Sequence, residues 1–134
     1  MNKIPFHFNH GLLYVPIRLI HETQTLTLQN CIFDTGSAGT TFDADLVTAI
    51  GLKLLPESKV KRLSTIGGYQ RVFTRVVNEL KIGNQSIINF EVEIGDLTSK
   101  FKIDGIIGTD IIRKFNWKID FDNQCLFTDL PEPE

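Results

Sequence analysis

Through most of the chain, apolar and polar residues alternate with the two-residue period of a β-strand, and short polar or glycine-bearing segments interrupt the pattern. Leu12 to Ile20 is apolar and β-branched, and Pro16 within it predicts an edge strand or a bulge, because proline has no N–H for a ladder. His21-Glu22-Thr23-Gln24 makes a polar turn, and Thr25 to Phe33 returns as a hairpin partner that becomes more apolar toward Asp34. Leu63-Ser64-Thr65-Ile66 and Val72 to Val77 flank Gly67-Gly68-Tyr69-Gln70-Arg71, which predicts a long hairpin with a glycine tip able to move. Glu79 to Ile82 and Ile87 to Ile94, on either side of Gly83-Asn84, add two strands, and Trp117 to Phe121 with Leu126-Phe127 make a last hairpin about Asp122-Asn123. Two short helices interrupt this order. The first, from Asp43 to Ile50, has acids at its amino end and Gly51 as a left-handed terminator; the second runs from Asp110 to Phe115 with Thr109 as its cap. Between Gly105 and Gly108 the pair Ile106-Ile107 predicts a buried strand that another backbone approaches closely. The expected fold is all-β and mainly antiparallel, with one or two short helices.

Composition narrows the classes. The 134 residues fit one domain, 1–130, followed by a tail, 131–134, expected to be disordered. With 42% hydrophobic and 22% charged residues the balance is that of a soluble globular protein, and a net charge of -2 gives no case for nucleic acid or an anionic membrane. No run approaches the roughly 20 apolar residues of a membrane span, and the amino terminus lacks a secretory signal, so the expected compartment is the cytoplasm. Cys31 and Cys125 lie in apolar, strand-like surroundings and are expected as buried free thiols. His7, His10 and His21 have no metal-ligand spacing, and Lys59, Lys61 and Arg62 read as a solvated strand face.

The chemistry concentrates in Cys31-Ile32-Phe33-Asp34-Thr35-Gly36-Ser37-Ala38-Gly39-Thr40. An apolar run ending in Asp-Thr-Gly delivers one carboxylate into a tight loop, where Gly36 leaves the backbone open to close approach. By itself the tripeptide is equally a strand end and a turn. The later motifs change that: the glycine-tipped hairpin at Gly67-Gly68, then Ile106-Ile107-Gly108 leading into a helix, then Ile119-Asp120-Phe121.

In this order the motifs resemble the retropepsin-like aspartic proteases, single-lobe relatives of pepsin, over nearly the whole chain. The resemblance implies a small closed β-barrel-like lobe, two copies of which associate about a two-fold axis to form one active site. It implies Asp34 as the catalytic aspartate, Thr35 as a hydroxyl bonded to the opposite chain, and Gly36 as a backbone donor to the carboxylate. It also implies a flap at Gly67, Gly68 and Tyr69 over a bound peptide, with Ile32, Ile66 and Ile107 lining side-chain pockets. Two carboxylates about 3 Å apart share one proton, so the pair works as an acid and a base with no metal or cofactor. Since there is no second Asp-Thr-Gly or Asp-Ser-Gly, the other carboxylate has to come from a second copy.

Two features depart from the retroviral pattern. Ser37 stands where alanine is frequent; a hydroxyl donating to the outer carboxylate oxygen would favour the ionised form, so Ser37→Ala is expected to raise the acid limb of the pH profile. Pro131-Glu132-Pro133-Glu134 is unsuited to the terminal strands such dimers interleave, leaving Phe6, Phe8 or Leu126 to Leu130 for the contact, or a weak dimer. The resulting expectation is a homodimeric aspartic endopeptidase acting on peptide or protein substrates. The alternative is a catalytically silent peptide-binding or dimerisation module with the same lobe.

Overall fold

The computed structural model describes residues 2–65, 68–97 and 102–131. Its strands fall into two sheets. The smaller joins β1 (Asn2–Pro5), β11 (Cys125–Thr128) and β10 (Lys118–Asp120), with β11 in the middle and both pairings antiparallel. The larger has eight strands: β2 (His7–Asn9), β3 (Leu12–His21), β4 (Gln24–Phe33), β5 (Thr41–Asp43), β6 (Val60–Thr65), β7 (Gly68–Ile82), β8 (Gln85–Gly95) and β9 (Gly105–Ile107). They lie in the order β2-β3-β4-β9-β5-β8-β7-β6, and β3 also pairs with β7, so the ladder runs back to one of its own members. The sheet is mainly antiparallel, as expected, but β4–β9 and β5–β8 are parallel, and these two pairs hold the loop that carries Asp34.

Several strands differ in detail from the sequence pattern. β3 is interior, flanked by β2, β4 and β7, and accommodates Pro16 through a register shift between Val15 and Ile17. Where two strands were expected after the glycine tip, β7 is one continuous strand of 15 residues. The irregularity at Asn78 lies in its partner: Val77 pairs with Phe90 and Glu79 with Ile88, and the intervening Asn89 takes φ 54°. Helix α1 (Ala44–Val47) is capped by Asp43, whose Oδ2 accepts from Leu46 N at 3.2 Å, and a 3-10 turn carries the chain to Gly51 at φ 87°. Helix α2 (Thr109–Lys114) has Gly108, not Thr109, at its cap, with no side-chain bond there. Among the described residues no helix is long and apolar enough to cross a membrane.

The core gathers Val15, Leu19, Leu28, Phe42, Leu80, Ile94 and Leu126, all buried. A second cluster joins Tyr14, Leu97 and Ile103 with Ile32 and Ile106 packed against it. Cys31 and Cys125 are buried and unpaired, and burial pushes the Cys31 thiol well above its ordinary range. Of the residues expected at a contact between copies, Phe6 and Leu126 belong to the core; Phe8 and Leu130 are exposed, and the Phe8 ring stacks on Phe121 with centroids 6.0 Å apart. Pro131 is held at its carbonyl by Gln85 Nε2 at 3.2 Å, and the rest of the expected disordered tail lies outside the described residues.

His21, buried at the end of β3, gives the fold a pH dependence. Its Nδ1 accepts from Asn78 N at 3.3 Å while Nε2 faces Arg75 Nη2 at 3.4 Å. Burial, and then the Arg75 charge, hold its pKa below the ordinary 6.5 against the opposing pull of Glu22. The unfolded chain therefore binds the proton more readily, and this contribution to stability is full above about pH 6.5 and lost as pH falls below it. The urea midpoint is expected to drop between about pH 7.5 and about pH 5, and to drop less in His21→Gln. Equal drops in both proteins would exclude His21 as the cause.

Candidate active site

β4 and β9 run parallel with Ile32 beside Ile106 and Phe33 beside Ile107, so both strands end at one level. Asp34 N–H then donates to the Ile107 carbonyl at 2.9 Å, extending the ladder by one residue before the chain turns. The turn closes with Ser37 N–H on the Asp34 carbonyl at 3.2 Å, and Gly36 N–H donates to Asp34 Oδ1 at 2.8 Å. The carboxylate is thus oriented by its own loop and is half-buried, with Thr35 and Gly36 exposed beside it.

The far side of the loop is fixed against α2. Thr109 N–H donates to the Ser37 carbonyl at 2.8 Å. Gly108 N–H donates to Thr40 Oγ1 at 3.1 Å, and that hydroxyl donates to Asp110 Oδ1 at 2.7 Å, while Thr40 N–H reaches Asp110 Oδ2 at 3.1 Å. Thr40 is buried, so the Asp110 carboxylate satisfies two donors that have no route to water. Asp110→Ala orphans both and is expected to cost about 1–3 kcal/mol of stability, whereas Asp110→Asn, retaining an acceptor oxygen, costs less. Chemical denaturation of the two variants measures the difference. On the opposite side, Glu93 Oε2 accepts from Thr41 Oγ1 at 3.3 Å and its other oxygen lies against Gly39, where an added β-carbon would come within 2.6 Å.

The remaining expected site residues divide. Gly68 (φ 122°) pairs with Thr65 at the end of the β6–β7 hairpin, while Ile66 and Gly67 lie outside the described residues. Tyr69 is 68% exposed and turns its ring to the guanidinium of Arg62, 5.1 Å away. Ile107 is fully buried in the core and serves the loop through its carbonyl; where the two strands end beside the loop, the half-buried side chains are Ile32 and Ile106. Ser37 Oγ donates to the Gly39 carbonyl at 2.7 Å. Its one hydroxyl proton is therefore committed within the loop, not to Asp34, and Ser37→Ala is expected to leave the acid limb of any pH profile in place. Sequence reasoning misses Thr40, Asp110 and Glu93 as supports of the loop, because Asp110 reads only as the first residue of a helix.

A family model described as aspartyl protease matches residues 24–111, from the start of β4 into α2, and so includes the whole loop and its clamp. The chain belongs to the aspartyl protease family. No curated protein sequence matches this family member. Among solved structures it is similar to a retropepsin-like aspartic protease from Rickettsia conorii, with a TM-score of 0.65 at 17% identity, over 95% of this chain and 99% of that one. At that identity the likeness shows the retropepsin-like fold.

Proposed function

We propose that the chain is one half of a homodimeric aspartic endopeptidase whose two Asp34 carboxylates, one from each copy, activate a water between them. The observation that carries this reading is the Asp34 loop: a half-buried carboxylate held by Gly36 N–H, with Thr35 exposed beside it. Among the described residues the other acids at the loop, Glu93 and Asp110, are bonded to Thr41 and Thr40, which leaves Asp34 as the carboxylate that one chain brings to the chemistry. A two-fold axis beside Asp34 supplies the second.

In this mechanism one carboxyl of the pair is ionised and the other protonated. The ionised member takes a proton from the water as its oxygen adds to the scissile carbonyl carbon, and the neutral member gives its proton to the carbonyl oxygen. The resulting diol collapses as the carboxyl that holds the water's proton gives it to the amide nitrogen, the other carboxylate takes a proton back from a diol hydroxyl, and the C–N bond breaks to leave an acid and an amine. An extended peptide would lie beneath the β6–β7 hairpin, acting as a flap, with alternate side chains directed to Ile32 and Ile106. Residues 1–130 form the working domain in this reading. The two unpaired thiols favour a reducing compartment such as the cytoplasm.

Sedimentation over a wide concentration range, paired with cleavage of a peptide library, tests the reading. Cleavage that rises with the dimer fraction supports it; a chain that stays monomeric at every concentration while still cleaving overturns the shared dyad.

A further inference from the structure

Charge is distributed very unevenly along this chain. From Ser58 to Asn78 there are five cations, Lys59, Lys61, Arg62, Arg71 and Arg75, and no acid, leaving nine cations against sixteen acids elsewhere. Two of the five are committed within the fold. Arg75 Nη1 donates to the carbonyls of Gly51 and Lys53 at 3.1 and 2.7 Å, and Lys61 Nζ lies 3.9 Å from Glu93. Arg62 and Arg71 differ, because they stand directly opposite each other across β6 and β7. Like charges in that position repel, and among the described residues neither guanidinium has a carboxylate partner.

The two arginines share the hairpin's outward face. Val72, one residue from Arg71, is buried, and Gln70 donates inward to the Asp96 carbonyl at 2.8 Å. Tyr69 and Arg71 therefore project the other way, and Arg62 lies over the Tyr69 ring. Val60, Lys61, Arg62 and Arg71 surround a shallow depression of about 230 Å³ along β6, the last strand of the sheet, whose outer edge pairs with no strand among the described residues. Cations on an edge strand can serve only to deter aggregation. That accounts for Lys61 and Arg62 on β6 but not for Arg71, which sits on the inner neighbour and faces its like.

We propose that the outward face of the β6–β7 hairpin is an exosite for an acidic, extended segment of the protein substrate, lying outside the residues that are cut. The segment adds along the edge of β6 and its carboxylates bridge Arg62 and Arg71, replacing repulsion by two charge-assisted bonds. A nucleic acid suits the face poorly, because the rest of the molecule carries a net charge of minus seven and repels a long polyanion. The word substrate rests on the protease reading; the face and its ligand chemistry do not.

The test uses the full chain carrying Asp34→Asn, so that binding is read without hydrolysis, and the anisotropy of a fluorescein-labelled Glu-Ser repeat peptide beside its Gln-Ser counterpart. The acidic peptide is expected to bind in preference, to weaken as salt rises from about 0.05 M to about 0.2 M, and to lose about tenfold in affinity in Arg62→Gln/Arg71→Gln. The control pair Lys102→Gln/Lys114→Gln removes the same charge elsewhere and is expected to change affinity little. Arg71→Gln alone, which relieves the opposition and leaves Arg62 over the Tyr69 ring, should not lower the thermal midpoint, and a lower midpoint overturns the repulsion on which the site rests. Equal binding of the two peptides, equal losses in the two double variants, or equally tight binding of an oligothymidylate of matched charge each overturn the exosite. If wild-type chain cuts no peptide while the acidic peptide still binds through the two arginines, the exosite stands and the protease reading falls.

Discussion

Asp34→Asn is expected to lower peptide cleavage by at least about a thousandfold while leaving the fold and the association of chains intact. An amide in this position keeps the oxygen that accepts from Gly36 N–H, so the loop retains its geometry and loses only the ability to take or give the proton. Mixing gives a sharper result. If each site needs one Asp34 from each copy, a dimer of one wild-type and one variant chain is inactive, and an equal mixture retains about a quarter of the activity of the same total of wild-type protein. A monomeric enzyme, or a dimer with two independent sites, would retain about half. The silent-module reading predicts that neither protein cuts and that both bind extended peptides equally well. Cleavage counts before and after mixing therefore separate three arrangements that share one fold.

Much of this arrangement is legible in the sequence, for local reasons. Hairpins appear because alternation stops at residues that favour turns, as at His21 to Gln24 and Gly83-Asn84, and these are turns in the structure. The Asp34 loop is legible because an apolar strand ends in three small or polar residues, and because its companion motifs follow in order. What escapes detection depends on residues far apart. Thr40 and Asp110 are 70 positions apart, and no pattern local to either indicates that one bonds the other. The facing of Ile106 and Ile107 is equally hidden: both are apolar, so alternation says nothing about which enters the core, and only the register with Ile32 and Phe33 decides it. Ser37 is ambiguous for a different reason: a hydroxyl near a carboxylate has several acceptors within reach, and here it takes the carbonyl of Gly39, two residues on. Composition suggests a break at Asn78, yet β7 runs through it, and the Asn78 side chain accepts from Glu22 N–H at 2.8 Å in the β3–β4 turn.

Gly108→Ala is expected to be the most damaging small substitution in the chain, costing about 3 kcal/mol or more and abolishing cleavage with it. Its conformation, φ -94°, suits any residue; the constraint is space. A β-carbon at Gly108 would lie 2.6 Å from the Gly39 carbonyl carbon, closer still to its oxygen, and 2.8 Å from the Ser37 oxygen. These are backbone atoms, so no rotamer relieves the collision. Either the Asp34 loop or the start of α2 has to move, and both are tied at this point: Gly108 N–H to Thr40 Oγ1, Thr109 N–H to the Ser37 carbonyl, Thr40 to Asp110. A shift in the loop carries the carboxylate with it, since Asp34 is suspended from Ile107, the residue preceding Gly108. Gly105→Ala provides the contrast, because the β-carbon there would meet side chains, the Phe42 ring at 2.7 Å and Cys31 Sγ at 3.1 Å. Combined with Phe42→Leu it is expected to recover part of its stability, whereas no side-chain replacement rescues Gly108→Ala. Urea denaturation of the three proteins checks this, and a Gly108→Ala chain with a near wild-type midpoint would mean that the loop and α2 are less tightly joined than their hydrogen bonds indicate.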